Sequence, residues 1–294
     1  MDAFAIELAG LRVGVEARFG YTRGKCAGFE AADAEGQNRP ACAGRERGAE
    51  GCARPSESQT ACKDPAGKAA LSAQPGRDPL VGCDFAVAAS EEDLEREQEE
   101  NERANSTPGR KAARLSDGYA EFIALHRKIS DAMLRREILL FHGSTVEVDG
   151  RAYLFTAPSG TGKSTHARLW GEVLGERMAY VNDDKPFLRF EGTSGPIIAC
   201  GSPWMGKHGL GSSACAPLAA VVRIVQAPHD RIERLSPEDA FEPLFAQAHR
   251  PKSPEGLAAS MRLVAALCEN VPAYRLECTP TLEAARLCQR AVIR

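Results

Sequence analysis

The stretch LFTAPSGTGKSTHARLWGEVLGERMAYVNDD, from Leu154 to Asp184, constrains the fold of this chain more than any other. Arg151 to Ala157 is an apolar run that reads as a strand. It gives way to Pro158-Ser159-Gly160-Thr161-Gly162-Lys163-Ser164-Thr165, where Gly160 and Gly162 let the backbone take φ > 0 and gather N–H groups around an anion. A helix follows from about Ser164 to Leu174, with Ala167, Trp170 and Leu174 on one face and Gly175 as its stop. Met178 to Val181 is then a short strand ending in Asn182-Asp183-Asp184. Strand, glycine loop, helix and strand imply an α/β sheet, whose strands end at the ligand crevice, so both aspartates are expected to face the loop. Asp183 lies only 20 residues after Lys163. That spacing holds one helix, and it predicts that the second strand is the immediate βαβ partner of the first, joined by a right-handed crossover.

The loop is built for a nucleotide triphosphate. Ser159, Gly160, Thr161, Gly162, Lys163, Ser164 and Thr165 would wrap the phosphates, the helix N-terminus adding its positive dipole end. Lys163 would sit on the β- and γ-phosphates and the Ser164 hydroxyl on Mg²⁺. Ala157 stands where such loops usually begin with glycine, and its small side chain still fits. ATP and Mg²⁺ are the expected cofactors.

These residues resemble a family. Ser159 to Thr165 (SGTGKST), the Asp183-Asp184 pair and His142-Gly143 upstream are similar to the catalytic domain of HPr kinase/phosphorylase, which shares its nucleotide-binding core with ATP-dependent phosphoenolpyruvate carboxykinase. The resemblance covers about Ser116 to Arg294. With Gly201-Ser202-Pro203-Trp204 and Gly206-Lys207 added, it resembles the HPr-kinase-like proteins of bacteria, a group that includes peptide and free-serine kinases. It implies an active-site role for His142, hydrogen-bonded to phosphate or to the carboxylates, and a phosphate or acceptor role for Arg250. It also implies Asp183 as base and Asp184 as metal ligand, an assignment that spacing alone leaves open. The family often forms rings, so a homo-oligomer is a possible state. The glutamate-containing signature that binds metal in the HPr enzyme is not recognisable here, which argues against phosphorolysis.

Composition excludes other classes. Of 294 residues, 37 are basic and 40 acidic, a net charge of -3, so no nucleic-acid partner is expected. No apolar stretch approaches the roughly 18 residues of a membrane span, and MDAFAIELAG has no basic n-region, so a cytoplasmic location follows by default. Ten cysteines suggest metal or disulfides. Cys42, Cys52 and Cys62 lack zinc-knuckle spacing, and Cys200, Cys268 and Cys288 sit in apolar runs as small core residues. In a reducing compartment no structural disulfide is expected.

From the N-terminus, alternation in Phe4, Ile6 and Leu8 and again in Leu11, Val13 and Val15 predicts a β-hairpin. Residues 34–78, rich in Gly, Pro and charge, cannot offset their ordering entropy and are predicted to be disordered. Leu80 to Val87 reads as a strand resuming a small N-terminal β-rich domain, 1–33 and 79–104. Ser90 with Asp93 forms a capping box opening a solvated acidic helix, with eight acidic residues from Glu91 to Glu102. Asn105 to Ala113, with Pro108-Gly109, marks a linker (105–115) before the catalytic domain, 116–294.

In that domain Phe122, Leu125, Ile129 and Met133 are spaced for one buried helix face. Ile138 to Val148 reads as a strand carrying His142, and Asp149-Gly150 as a type I′ turn into the loop strand. Strands are predicted at Phe187–Phe190 and Ile197–Cys200 around a turn. A long glycine-rich loop then carries Trp204, Lys207 and His208; Lys207 would neutralise the transferring phosphoryl group and Trp204 would wall the acceptor pocket. Leu218 to Val225 is a buried strand expected to pair with Arg231–Leu235. Ser236-Pro237 and Ser253-Pro254 start helices to about Ala248 and Glu269, leaving Arg250 in the loop between them, where a guanidinium suits bidentate phosphate recognition. Ala273 to Cys278 and Pro280 to Ile293 close the chain.

The sequence thus indicates an α/β protein, a P-loop HPr kinase/phosphoenolpyruvate carboxykinase-like catalytic domain with a small N-terminal β-rich domain. Its expected activity is ATP-dependent transfer of the γ-phosphate to a hydroxyl acceptor, a serine of a protein or peptide or a free amino acid. Two alternatives remain: a carboxykinase-type enzyme, for which no convincing arginine and metal-histidine set is found, and a non-catalytic ATP-binding regulatory module of a peptide-modification pathway.

Overall fold

The computed structural model describes residues 1–31, 79–192 and 195–293. The segment predicted to be disordered, 34–78, lies outside the described residues, and so do Cys42, Cys52 and Cys62.

The first hairpin forms as its alternation predicts. β1 (Asp2–Leu8) and β2 (Leu11–Ala17) pair antiparallel through a turn at Ala9 and Gly10, both at positive φ. β3 (Phe85–Ala88) adds in parallel to β2 and is shorter than expected, because 79–82 is taken up by turns. A helix that the sequence did not signal, α1 (Gly20–Cys26), follows the hairpin. Its entry is held by the buried Glu121 carboxylate, which accepts from Arg18 N at 2.6 Å, Phe19 N at 3.3 Å and Thr22 Oγ1 at 2.6 Å.

α2 (Glu91–Asn105) starts at the predicted capping box, with Ser90 and Asp93 bonding each other's backbone. It is not a wholly solvated helix. Asp93 and Glu97 are buried against α3 (Asp117–Leu134), where Arg127 reaches them at 3.2 and 2.9 Å and Lys128 reaches Asp93 at 2.5 Å. Burial alone would raise the Asp93 pKa, but the bonds from Lys128, Ser90 and Arg127 hold its carboxyl well below the usual range. An acidic run has no apolar stripe to reveal its inner face, so only the partner helix shows which acids are inside. On its other side α3 buries Phe122, Leu125, Ile129 and Met133 as predicted, in one core with Ile6 and Val13 of the small sheet, Ile138 and Phe187 of the large one, and Trp204 of the glycine-rich loop.

The large sheet has nine strands: β4 (Ile138–Leu140), β5 (Ser144–Val148), β6 (Arg151–Thr156), β7 (Met178–Asn182), β8 (Phe187–Phe190), β9 (Ile197–Cys200), β10 (Cys215–Gln226), β11 (Arg231–Arg234) and β12 (Ala273–Cys278), with a path β4-β8-β9-β10-β6-β5-β7. Asp149 and Gly150 turn β5 into β6 with φ of 51° and 81°, as a type I′ turn requires. That hairpin corrects one expectation: β5 lies between β6 and β7, so β7 is not the immediate neighbour of the loop strand. Two further pairings differ. β11 pairs with β12 rather than β10, because β12 takes the parallel position beside β10. Ile138–Val148 is not one strand but β4 and β5, broken at Phe141-His142-Gly143. A Cβ on Gly143 would stand 2.7 Å from Phe155 O, so the break needs a residue without one.

β6 is buried on both faces. Leu154 points to a core closed by α5 (Pro237–Phe245) and α6 (Pro254–Asn270), and Tyr153 and Phe155 point to one closed by α4 (Lys163–Leu174) and α7 (Leu282–Val292). Ser236 and Ser253 cap α5 and α6 with proline next, as read from the sequence. α5 ends before Ala248, since the backbone from Gln247 to His249 is spent on Leu140 and His142 instead: His142 N donates to Gln247 O and His249 N to Leu140 O, both at 2.9 Å.

Cys200 and Cys215 form a disulfide, against the expectation of none. They are direct partners in the antiparallel β9–β10 pair, with Cα atoms 4.1 Å apart. Register decides this contact, and neither composition nor the compartment argument reports register. Among the described residues no helix is long and apolar enough to cross a membrane.

Candidate active site

After β6 the chain turns over residues 157–162 into α4. Gly160 and Gly162 take φ of 80° and 112°, and Thr161 closes the loop by donating its N–H and Oγ1 to Pro158 O at 3.3 and 2.9 Å. Ala157 is buried at the start, where its methyl group is accommodated. No side chain caps α4, so the N–H groups of its first turn leave the helix end without intrahelical partners, at the positive end of the dipole. Ser159 and Gly160 are exposed, and Thr161, Gly162, Ser164 and Thr165 are half-buried. Lys163 is folded back on the loop, its Nζ donating to Ala157 O at 2.9 Å and Pro158 O at 3.2 Å. Burial lowers its pKa, with Asp184 opposing the shift and Lys185 adding to it.

Trp170 seats this helix. It is fully buried, packs edge-on to Phe155 at 4.9 Å and tilted on Tyr153 at 5.4 Å, and donates Nε1–H to His166 Nε2 at 3.1 Å. Burial takes His166 down to about 4, so the ring is a neutral acceptor.

The two aspartates follow β7, and Asn182 sets them. Its Oδ1 accepts from Asp184 N at 2.9 Å and Lys185 N at 2.5 Å, while its Nδ2 donates to Ser202 O and Oγ at 3.0 and 3.2 Å. The same Ser202 Oγ donates to Lys185 O at 2.6 Å. One buried amide thus ties the carboxylate turn to the glycine-rich loop. Asn182→Ala leaves these groups unpaired, and we expect a loss of about 1–3 kcal/mol of stability by urea unfolding. A change near zero would show that Asn182 does not hold the turn.

Neighbouring carboxylates meet opposite surroundings. Asp183 is 3% exposed and accepts from Gly206 N at 2.7 Å. Burial raises its pKa, the N–H groups of Gly206 and Leu210 offset part of that, and the Asp184 charge raises it further. For Asp184 burial also acts upward, but the bond from His142 and the charges of Lys185, His142 and Lys163 carry its pKa below the usual range. His142 Nε2 lies 3.3 Å from Asp184 Oδ1, and its Nδ1 lies 3.1 Å from Gln247 Oε1. The break between β4 and β5 aims it there: Gly143 N donates to Asp184 O at 3.0 Å and Thr156 Oγ1 to His142 O at 2.9 Å.

Of the residues singled out in the sequence, Lys163, Asp183, Asp184 and His142 converge. Lys207 is exposed in the turn just after Gly206, the residue whose N–H reaches Asp183. Arg250 is exposed on a cavity that His142 also lines. Trp204 does not line that cavity: it is buried, donates Nε1–H to Phe122 O at 3.1 Å, and pins the glycine-rich loop to α3. Gln247 and Lys185 were missed. Lys185 sat inside the motif beside the aspartates, but Gln247 has no signal in its own neighbourhood.

Among the described residues no group of three or more His, Cys, Asp or Glu side chains is arranged to hold a metal ion. Mg²⁺ asks for less, because one carboxylate or two with substrate phosphates and water complete its shell. An ionised Asp184 and the half-buried Ser164 hydroxyl are oxygen donors of that kind.

No protein-family model matches the chain, and no curated protein matches it. Among solved structures it is similar to the Hpr(Ser) kinase/phosphatase from Coxiella burnetii, at 14% identity over 52% of this chain and 87% of that one, with a TM-score of 0.31. That likeness is too slight to carry an argument, and the functional reading rests on the site.

Proposed function

We propose that this protein is an ATP-dependent phosphotransferase that moves the γ-phosphoryl group to a hydroxyl acceptor. The observation that carries the reading is the divergence of Asp183 and Asp184: adjacent carboxyls, one pushed up by burial and one held down by cations, next to an uncapped glycine-loop helix. Two titratable groups driven apart in this way divide acid–base and charge-holding work between them.

In this reading residues 159–165 bind the triphosphate through the loop N–H groups, and Lys163 leaves Ala157 O and Pro158 O to contact the phosphoryl oxygens. Asp184 and Ser164 would hold Mg²⁺, which supplies charge neutralisation on the phosphates when bound. Asp183 accepts the acceptor hydroxyl proton as the new O–P bond forms and the bond to the ADP oxygen breaks. His142 fixes Asp184, while Lys207 and Arg250 would serve as cations for phosphate or acceptor.

The test is incubation of the protein with γ-labelled ATP, Mg²⁺ and cell extract split into protein and small-molecule fractions, with Lys163→Ala beside it. Label entering one fraction with the wild type and not with the variant is expected. ATP binding with no transfer into either fraction would overturn the kinase reading in favour of a regulatory nucleotide-binding module.

A further inference from the structure

The glycine-rich loop, residues 201–214, is closed at its neck by the Cys200–Cys215 disulfide. We propose that this bond is a redox switch on the carboxylate site: the disulfide keeps the loop docked on Asn182 and Asp183, and a dithiol reductant releases it. The effect on the loop rests on the geometry of the neck, and the effect on turnover rests on the phosphotransferase reading.

The loop is held at two places. Its body docks on the end of β7 and on the carboxylate turn: Gly206 N donates to Asp183 Oδ1 at 2.7 Å, Ser212 N to Val181 O at 3.1 Å, and Asn182 Nδ2 to Ser202 O at 3.0 Å. Its neck is β9 against β10. That pairing spans only Cys200 with Cys215, Ala199 with Ala216 and Ile198 with Pro217, and Pro217 has no N–H to give to it. Gly201 N adds one bond, to Ala214 O at 3.0 Å. So short a ladder, with a donor missing, leaves the covalent bond as the strongest tie across the neck. A cross-link between residues 15 apart excludes most open arrangements of the segment, and its reduction restores them.

Cys200 is fully buried and Cys215 only half-buried, so attack falls on the Cys215 side. A thiolate of the dithiol attacks Cys215 Sγ, the bond to Cys200 breaks, and Cys200 leaves as a thiolate and takes up a proton. The second thiol of the reductant loses its proton and displaces Cys215, which is protonated in turn. Two electrons have passed to the protein, both cysteines end as thiols, and the reductant leaves as a cyclic disulfide. Four other described thiols compete poorly: Cys26, Cys268, Cys278 and Cys288 are buried, and burial pushes their pKa up. Release takes the Gly206 N–H away from Asp183 and leaves residues 159–165 as they are, so the switch acts on turnover and not on ATP binding.

The experiment compares the oxidised protein, the same protein with dithiothreitol, and the Cys200→Ser, Cys215→Ser double variant in both conditions. On reduction, amide hydrogen exchange at Gly206 and Ser212 is expected to quicken at least about ten-fold, while β6 and α4 stay unchanged. The double variant is expected to exchange at the fast rate with or without the dithiol. Transfer from labelled ATP is expected to fall at least about ten-fold on reduction, with the KM for ATP within a few fold, and to recover on reoxidation. Alkylation of both Cys200 and Cys215 in the oxidised protein, exchange that ignores the dithiol, or undiminished transfer by the reduced protein would overturn the proposal. Exchange that responds to the dithiol, with no transfer in either state, would sink the kinase reading and keep the redox control of the loop.

Discussion

Asp183→Asn is expected to lower phosphoryl transfer by roughly 10²–10⁴-fold, the usual worth of a positioned general base, while ATP affinity stays within a few fold. The substitution is a clean one. Asparagine keeps an Oδ1 to accept from Gly206 N, so the loop from Gly201 stays docked. What is lost is a proton acceptor whose pKa burial has raised above the ordinary carboxylate range. A base works ionised, so wild-type rate should fall as pH drops through that raised pKa, and the residual activity of the variant should lack this acid limb. The comparison is a pH–rate profile of both proteins with ATP dissociation constants alongside. Unchanged turnover in the variant would remove Asp183 from the chemistry.

Trp170→Ala is expected to cost about 3–5 kcal/mol, read from urea unfolding of the whole chain. Trp170 is fully buried between Phe155 and Tyr153 of β6 and closes on His166, so truncation opens a cavity under the helix that carries the phosphate loop. It also leaves His166 Nε2 buried without its donor. Because this outcome depends on packing alone, it tests the seating of the loop helix independently of the proposed activity. A loss under about 1 kcal/mol would mean that α4 is not anchored by this side chain.

Local chemistry was legible wherever a few consecutive residues settle it. Gly160 and Gly162 announce the loop, Asp149-Gly150 the turn, Ser236-Pro237 and Ser253-Pro254 the helix starts, and Ser90 with Asp93 the capping box. Each works within one turn of chain, so spacing reports it directly. The expected trio of Lys163, Asp183 and Asp184 follows from the same reasoning, as β6, which leads into the loop, and β7, which leads into the aspartates, end on one side of the sheet.

What depended on distant partners was not legible. Asp93 and Glu97 read as surface acids until Arg127 and Lys128 are opposite them. Cys200 reads as a core residue until the β9–β10 register sets Cys215 across from it. His142 reads as a strand residue until the chain switches from β4 to β5, a break enforced by the close approach of Gly143 to Phe155.

The sequence by itself determined that a strand, a glycine loop and a helix must form one α/β unit, and where that helix begins and ends. Those are consequences of backbone freedom, periodicity and capping, all within a few residues. Tertiary structure alone decided that β5 stands between the two strands of that unit, that Asp183 and Asp184 titrate apart, and that His126, Lys185 and Arg250 share one cavity. Strand order is a competition among edges, and a pKa or a cavity is the sum of everything packed around it; neither is a property of the segment in which the residue lies.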